Sequence, residues 1–217
     1  MQGIVSSNDE MAAAPDSSSQ PVDPQFDLRG FLRQELNEHK GVFDQMERAI
    51  ETSFPVVLQA FETTVRQGGK ILVFGNGGSA ADAQHIAAEL VIRYKLNRQP
   101  IAALALTTVT SALTACGNDL GFEEIFARQV EALVHRADAV MGISTSGTSP
   151  NVIAGLREAK RRGAYTIGLT GGDAGDLPKV CDAIILAPSR VTARIQEMHI
   201  LVAHMLCKGL ELRLGLV

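Results

Sequence analysis

The sequence lacks an excess of basic residues: 20 Lys and Arg stand against 24 Asp and Glu, for a formal net charge of -4. Affinity for DNA or RNA rests largely on neutralising phosphates, so this balance excludes nucleic acid as an expected direct ligand. Cysteine is scarce, with Cys116, Cys181 and Cys207 forming an odd set without C-x-x-C spacing. Neither a disulfide framework nor a zinc-finger cage fits that pattern, and a reducing cytoplasm does. No stretch approaches the ~18–20 consecutive apolar residues that span a bilayer, so no membrane partner is expected. Tryptophan is absent, yet 46% of residues are apolar and 20% charged, an ordinary balance for a globular chain of 217 residues.

The first 25 or so residues, with Ser17, Ser18 and Ser19 and prolines at 15, 21 and 24, have neither the basic start nor the apolar centre of a signal peptide. Residues 1–26 therefore read as a flexible tail and 27–217 as one domain. From Leu28 to Ile50 apolar residues recur at helical spacing, giving one amphipathic helix or two. Ser53 and Pro55 mark the start of another, which runs to Gly68.

Beyond Gly69 the pattern changes to short, nearly continuous apolar runs at 70–74, 101–106, 139–143, 165–169 and 183–186. These read as strands buried on both faces. Helical stretches at 79–94, 121–134, 150–162 and 192–214 separate or follow them. Strands alternating with helices imply right-handed crossovers, hence an α/β domain with a five-stranded, parallel, doubly wound sheet flanked by helices. Ligands of such sheets bind beyond the carboxyl ends of the strands, so the loops there are where chemistry is expected.

Three of those loops are rich in glycine and hydroxyls, and none carries a Walker lysine or the G-x-G-x-x-G spacing. Gly75-Asn76-Gly77-Gly78-Ser79 allows positive φ and close backbone approach just before a helix. Ser144-Thr145-Ser146-Gly147-Thr148-Ser149-Pro150 sets hydroxyls and free N–H groups at another helix start, where the helix dipole attracts a small phosphate. Either loop alone also reads as an ordinary turn with a cap. Thr170-Gly171-Gly172-Asp173 signals a turn and is given no chemistry.

On the helix after the first loop, His85 and Glu89 are four residues apart and share a face. An imidazole and a carboxylate there suit Zn²⁺ or a general base, and equally a solvated helix surface. The last helix sets Arg194, Gln196, Glu197, His199 and His204 among apolar residues, which points to a functional site or a subunit interface. Gln196 and His204 lie ~12 Å apart along an ideal helix, too far for one ion to hold both easily. If both serve one site, different subunits contribute them, or one acts through substrate or water. His39 and His135 read as surface residues, Cys116 and Cys207 as inert thiols, and no Ser/His/Asp triad is visible.

The run from Gly75 to His85 resembles the first signature of sugar isomerase (SIS) domains of the phosphoheptose isomerase family. Gly117-Asn118-Asp119, Ile143 to Gly147 and Arg194-Ile195-Gln196-Glu197-Met198-His199 resemble its further motifs, over about residues 28–214. The resemblance implies a SIS fold of flavodoxin-like strand order. It also implies isomerisation of D-sedoheptulose 7-phosphate to D-glycero-D-manno-heptose 7-phosphate through an enediolate, the first step towards ADP-heptose and lipopolysaccharide, in a homotetramer with sites between subunits. Carried over motif by motif, one Zn²⁺ per subunit would bind His85, Glu89, Gln196 and His204. Substrate would meet Asn76, Gly77, Gly78, Glu89, Asn118, Asp119, Ser144, Thr145, Ser146, Ser149 and Gln196. Glu89 would be the base and His204 its acid partner. Val109, Thr148 and Ile92 replace the Asp, Asn and Gly usual at their positions, which bears on the exact sugar. The rival reading, a non-catalytic SIS regulator that binds the replication initiator DnaA, is disfavoured because those relatives lack the acid and second histidine matching Glu89 and His204.

Overall fold

The computed structural model describes residues 26–217, so the expected tail, up to residue 25, lies outside the described residues. The chain runs α1 (Leu28–Ile50), α2 (Ser53–Arg66), β1 (Ile71–Gly75), α3 (Gly78–Val91), β2 (Ala103–Ala105) and α4 (Thr110–Asp119). A 3-10 turn at Phe122–Glu124 leads to α5 (Ala127–Leu133), β3 (Ala139–Ser144), α6 (Pro150–Arg161) and β4 (Tyr165–Gly171). A second turn at Leu177–Lys179 precedes β5 (Ala183–Ala187) and α7 (Thr192–Arg213).

All strand pairs are parallel, in the order β2-β1-β3-β4-β5. Alternation along each strand builds a core on either face. Ile71, Val73, Met141 and Ile143 meet Ile86, Leu90, Val202 and Leu206 on one side. Leu72, Phe74 and Val140 meet Phe126, Val130, Val152 and Leu156 on the other. The strand order reverses between β1 and β3, where Gly75 lies beside Ile143, so the glycine loop after β1 and the hydroxyl loop after β3 leave the sheet side by side. Such a reversal opens a crevice at the carboxyl edge.

Three elements depart from expectation. β2 is an edge strand shortened to Ala103–Ala105, since it pairs with β1 alone. The helix expected over 121–134 is broken, because the chain bends to bury the adjacent Ile125 and Phe126. α4 was not expected: its Thr-Ser-Ala-Leu-Thr-Ala-Cys-Gly-Asn-Asp sequence has mostly weak helix formers, and Cys116 is its one buried residue.

The polar residues of α7 now have separate explanations. Arg194 donates to the Glu35 carbonyl at 2.8 Å and to Glu197 at 2.7 Å, tying α7 to α1. His39 is no free surface residue, since its Nδ1 lies 2.7 Å from the other Glu197 oxygen. His199 is buried with Nε2 3.1 Å from the Thr170 carbonyl, and burial pushes its pKa down to about 4 against that hydrogen bond. It is therefore neutral in the fold and binds a proton more readily when unfolded. Stability is fully present above the unfolded value of about 6.5 and falls as pH drops from there towards 4. Denaturant midpoints measured across that window should fall less steeply for His199→Asn than for wild type, whatever their offset at neutral pH.

Candidate active site

At the head of α3, Gly77 caps the helix with φ +55°, a conformation that favours glycine. Gly78 is held bare for another reason: a β-carbon there would collide with the Gln196 side-chain amide. Asn76 reaches across the crevice to Asn151 in the first turn of α6. Each amide donates to the other's oxygen at 2.8 Å, and Asn151 is almost wholly buried. Asn151 escapes a reading of motifs because its partner lies 75 residues away; an Asn just inside a helix start was the only signal.

The second loop folds onto itself. Ser144 Oγ is 2.9 Å from Ser149 Oγ and accepts from Gly147 N at 3.1 Å, while Thr148 donates its hydroxyl to Ser146 at 3.0 Å. Ser149 caps α6 without a side-chain cap bond. The result is a ring of hydroxyls around a helix N-terminus, suited to a phosphate. Thr145 and Ser146 also line a cleft of about 220 Å³ with Gly171, Gly172, Asp173 and Arg190. The turn after β4, given no chemistry from sequence, thus borders the same crevice. Asn118 and Asp119 are exposed at the end of α4, with Asn118 donating to Asp119 at 2.7 Å. Among the described residues no hydrogen bond joins them to the other two loops.

Further along the seam between α3 and α7, His85, Glu89 and His204 converge, with candidate ligand atoms all within 4.8 Å of one another. His85 Nε2 is 3.1 Å from Glu89 Oε1 and 3.2 Å from His204 Nε2. A tetrahedral ion with bonds of ~2.0–2.1 Å would place its ligands ~3.3 Å apart, close to these two spacings, so the cluster is of a size for a small divalent cation. The other Glu89 oxygen, Oε2, is buried without a partner, as expected of a group awaiting a cation or a proton. One chain suffices to bring His204 to His85. Gln196 sits instead at Gly78, towards the glycine loop, in keeping with its distance from His204 along α7.

Two neighbours were missed from sequence. Tyr94 stands with its ring 5.5 Å from that of His204. Asp82, one turn before His85, has a buried oxygen without a partner, and burial holds its carboxyl above the ordinary range against the pull of His85. Cys207 behaves as expected of an inert thiol, pushed up to about 12 chiefly by burial. A larger groove of about 1030 Å³ opens at the opposite, amino edge of the sheet, but Asp138 and Asp182 there are already paired with Lys70 and Lys160. No helix among the described residues is long and apolar enough to cross a membrane.

A sequence profile of the SIS domain matches residues 36–171. A phosphoheptose isomerase of Paramagnetospirillum magneticum is 52% identical over 181 residues, 83% of this chain and 94% of that protein. Among solved structures, the phosphoheptose isomerase of Neisseria gonorrhoeae superposes with a TM-score of 0.80 at 40% identity, covering 85% of this chain and 98% of that one. That of Francisella tularensis gives 0.82 at 33% identity, with the same coverage.

Proposed function

The chain belongs to the phosphoheptose isomerase family of SIS-domain proteins, and from that premise we propose that it converts D-sedoheptulose 7-phosphate to D-glycero-D-manno-heptose 7-phosphate, supplying ADP-heptose for lipopolysaccharide. The observation that carries this reading is the His85, Glu89 and His204 cluster, with a buried and unpartnered carboxylate oxygen, on the same pair of helices, α3 and α7, that brings Gln196 to the glycine loop. A regulator that only binds protein has no need of it.

The phosphate rests at the start of α6, held by Ser144, Thr145, Ser146, Ser149 and backbone N–H groups. Asn76, Gly77, Gly78 and Gln196 line the path of the sugar towards the cluster, and Asn118 and Asp119 take its hydroxyls. Glu89 moves a proton between C1 and C2, and His204 serves as acid partner in ring opening and proton delivery. His85, Glu89 and His204 would hold one Zn²⁺, which would supply electrophilic stabilisation of the developing oxyanion, while Gln196, expected as a fourth ligand, stands at Gly78 on the path of the sugar. A carboxylate bound to a metal is a weaker base. An ion held through one Glu89 oxygen would leave the other for the proton; Oε1 faces His85, and Oε2 is buried without a partner.

The working form is a cytoplasmic homotetramer without nucleic-acid or membrane partners. Leu28, Phe31, Leu32, Leu36 and Phe43 are each about half exposed or more and follow helical spacing along α1, an apolar stripe that a second copy would cover. NMR of purified protein with sedoheptulose 7-phosphate tests the reaction. Heptose 7-phosphate should accumulate, cease after chelation and return with added Zn²⁺. Absence of product in every arm removes this reading and moves attention to DnaA binding; product unaffected by chelation removes the metal from the chemistry.

A further inference from the structure

α3 and α7 lie side by side and run in the same direction. Three contacts in register show it: Gln196 at Gly78, His204 at His85, and Glu211 accepting from the backbone N–H of Tyr94 at 3.1 Å. Between them the two helices carry all three groups of the cluster. Their relative placement therefore sets the distance from His85 and Glu89 to His204.

At the carboxyl end of this pair lies an ion pair that no motif announces. The side chains of Arg98 and Glu211 are 0% and 2% exposed, and Arg98 Nε donates to Glu211 Oε1 at 2.8 Å. The rest of the guanidinium holds backbone: Nη2 donates to the Glu89 carbonyl at 2.8 Å, and Nη1 to the carbonyls of Leu90 and Gln99 at 2.6 and 2.9 Å. One of the carbonyls it grips belongs to Glu89 itself. The Glu211 oxygen that binds Arg98 is the one that holds Tyr94 N, and the Tyr94 ring packs beside His204.

A buried ion pair is a poor source of stability, since the desolvation of two charges offsets much of their attraction and apolar replacements are often neutral. Arg98 is suited to geometry instead: its planar fork serves four acceptors at fixed angles, which a lysine cannot do. We propose that Arg98 and Glu211 are positioning residues for the metal cluster, a latch that fixes the last turn of α3 and the Tyr94 ring against α7. The inference rests on reading His85, Glu89 and His204 as a metal site. Groups that orient ligands from behind typically alter metal affinity 10–100-fold when removed.

Metal binding by the full chain separates this role from simple packing. Zn²⁺ affinity is measured by competition with a chromophoric chelator, the Co²⁺ absorption spectrum reports coordination geometry, and thermal unfolding of the metal-free protein reports the fold. Arg98→Lys keeps the ion pair but cannot grip all the carbonyls. The double variant Arg98→Met, Glu211→Leu removes both charges together, so a folded protein is obtained even where a single change leaves a buried charge alone. Both should bind Zn²⁺ about 10–100-fold more weakly with an altered Co²⁺ spectrum, and the double variant, which leaves the Tyr94 N–H and the Glu89 and Gln99 carbonyls without these partners, should stay folded but unfold below the wild-type temperature. Wild-type affinity and spectrum in these variants, with or without a lowered unfolding temperature, overturn the latch and leave the pair a packing device. His85→Ala with His204→Ala is the control: if wild type binds no more tightly than this variant, the metal reading itself fails, and the latch with it.

Discussion

Glu89→Gln should lower turnover of sedoheptulose 7-phosphate by about three orders of magnitude, within the range typical of a lost general base, while leaving fold and assembly intact. Glutamine has the shape of glutamate and can still reach His85, so the 3.1 Å contact between the two side chains survives in outline. What disappears is the charge and the lone pair able to take a proton at Oε2. That oxygen is buried without a partner, and glutamine sets an equally unpartnered amide at the same place, so the metal-free variant should unfold near the wild-type temperature even though it is inactive. Activity within tenfold of wild type would remove Glu89 as the base. Loss of activity accompanied by loss of the oligomer would make its role structural.

Much of the architecture was legible because the signals were local. Five apolar runs at strand length, separated by helices, leave little choice but a parallel sheet covered on both faces, and β1, β3, β4 and β5 begin within a residue of expectation. His85 and Glu89 were visible through their spacing, and the two loops through glycine and hydroxyl content. What sequence could not supply was the pairing of distant segments. The ~12 Å between Gln196 and His204 was read correctly as a separation. A second subunit and action through substrate or water are the sequence's two ways to join them in one site, and the parallel run of α3 and α7 offers Gly78 to one residue and His85 to the other within one chain. Arg98 and Glu211 escaped notice for the same reason: 113 residues separate them, and each alone reads as a surface charge. α4 was missed because its helix is stabilised by its setting rather than by its own residues.

The Asn76–Asn151 pair leads to the second large expected effect. Asn151→Ala should cost about 2–4 kcal/mol of stability, because it leaves both groups of a partly buried Asn76 amide without partners. For a domain of this size that corresponds to a fall in unfolding temperature of roughly 5–15 °C. The consequence for function follows from position. The pair bridges the two loops that flank the reversal in strand order, one leading to the His85, Glu89 and His204 cluster and the other to the proposed phosphate site. Cutting it lets these ends of the substrate path move independently, so KM should rise about tenfold, as expected when positioning is lost rather than chemistry. Asn151→Asp separates the two effects. The carboxylate can still accept from Asn76 and from Val152 N, which it now does at 2.9 Å, but it cannot donate to the Asn76 oxygen and it brings negative charge to the start of α6. A negative charge there favours the helix and opposes a phosphate. Asn151→Asp should therefore lose less stability than Asn151→Ala but bind sugar phosphate more weakly. Calorimetry and KM measured on both variants decide the matter: equal KM in wild type and Asn151→Asp would show that phosphate does not rest at the start of α6.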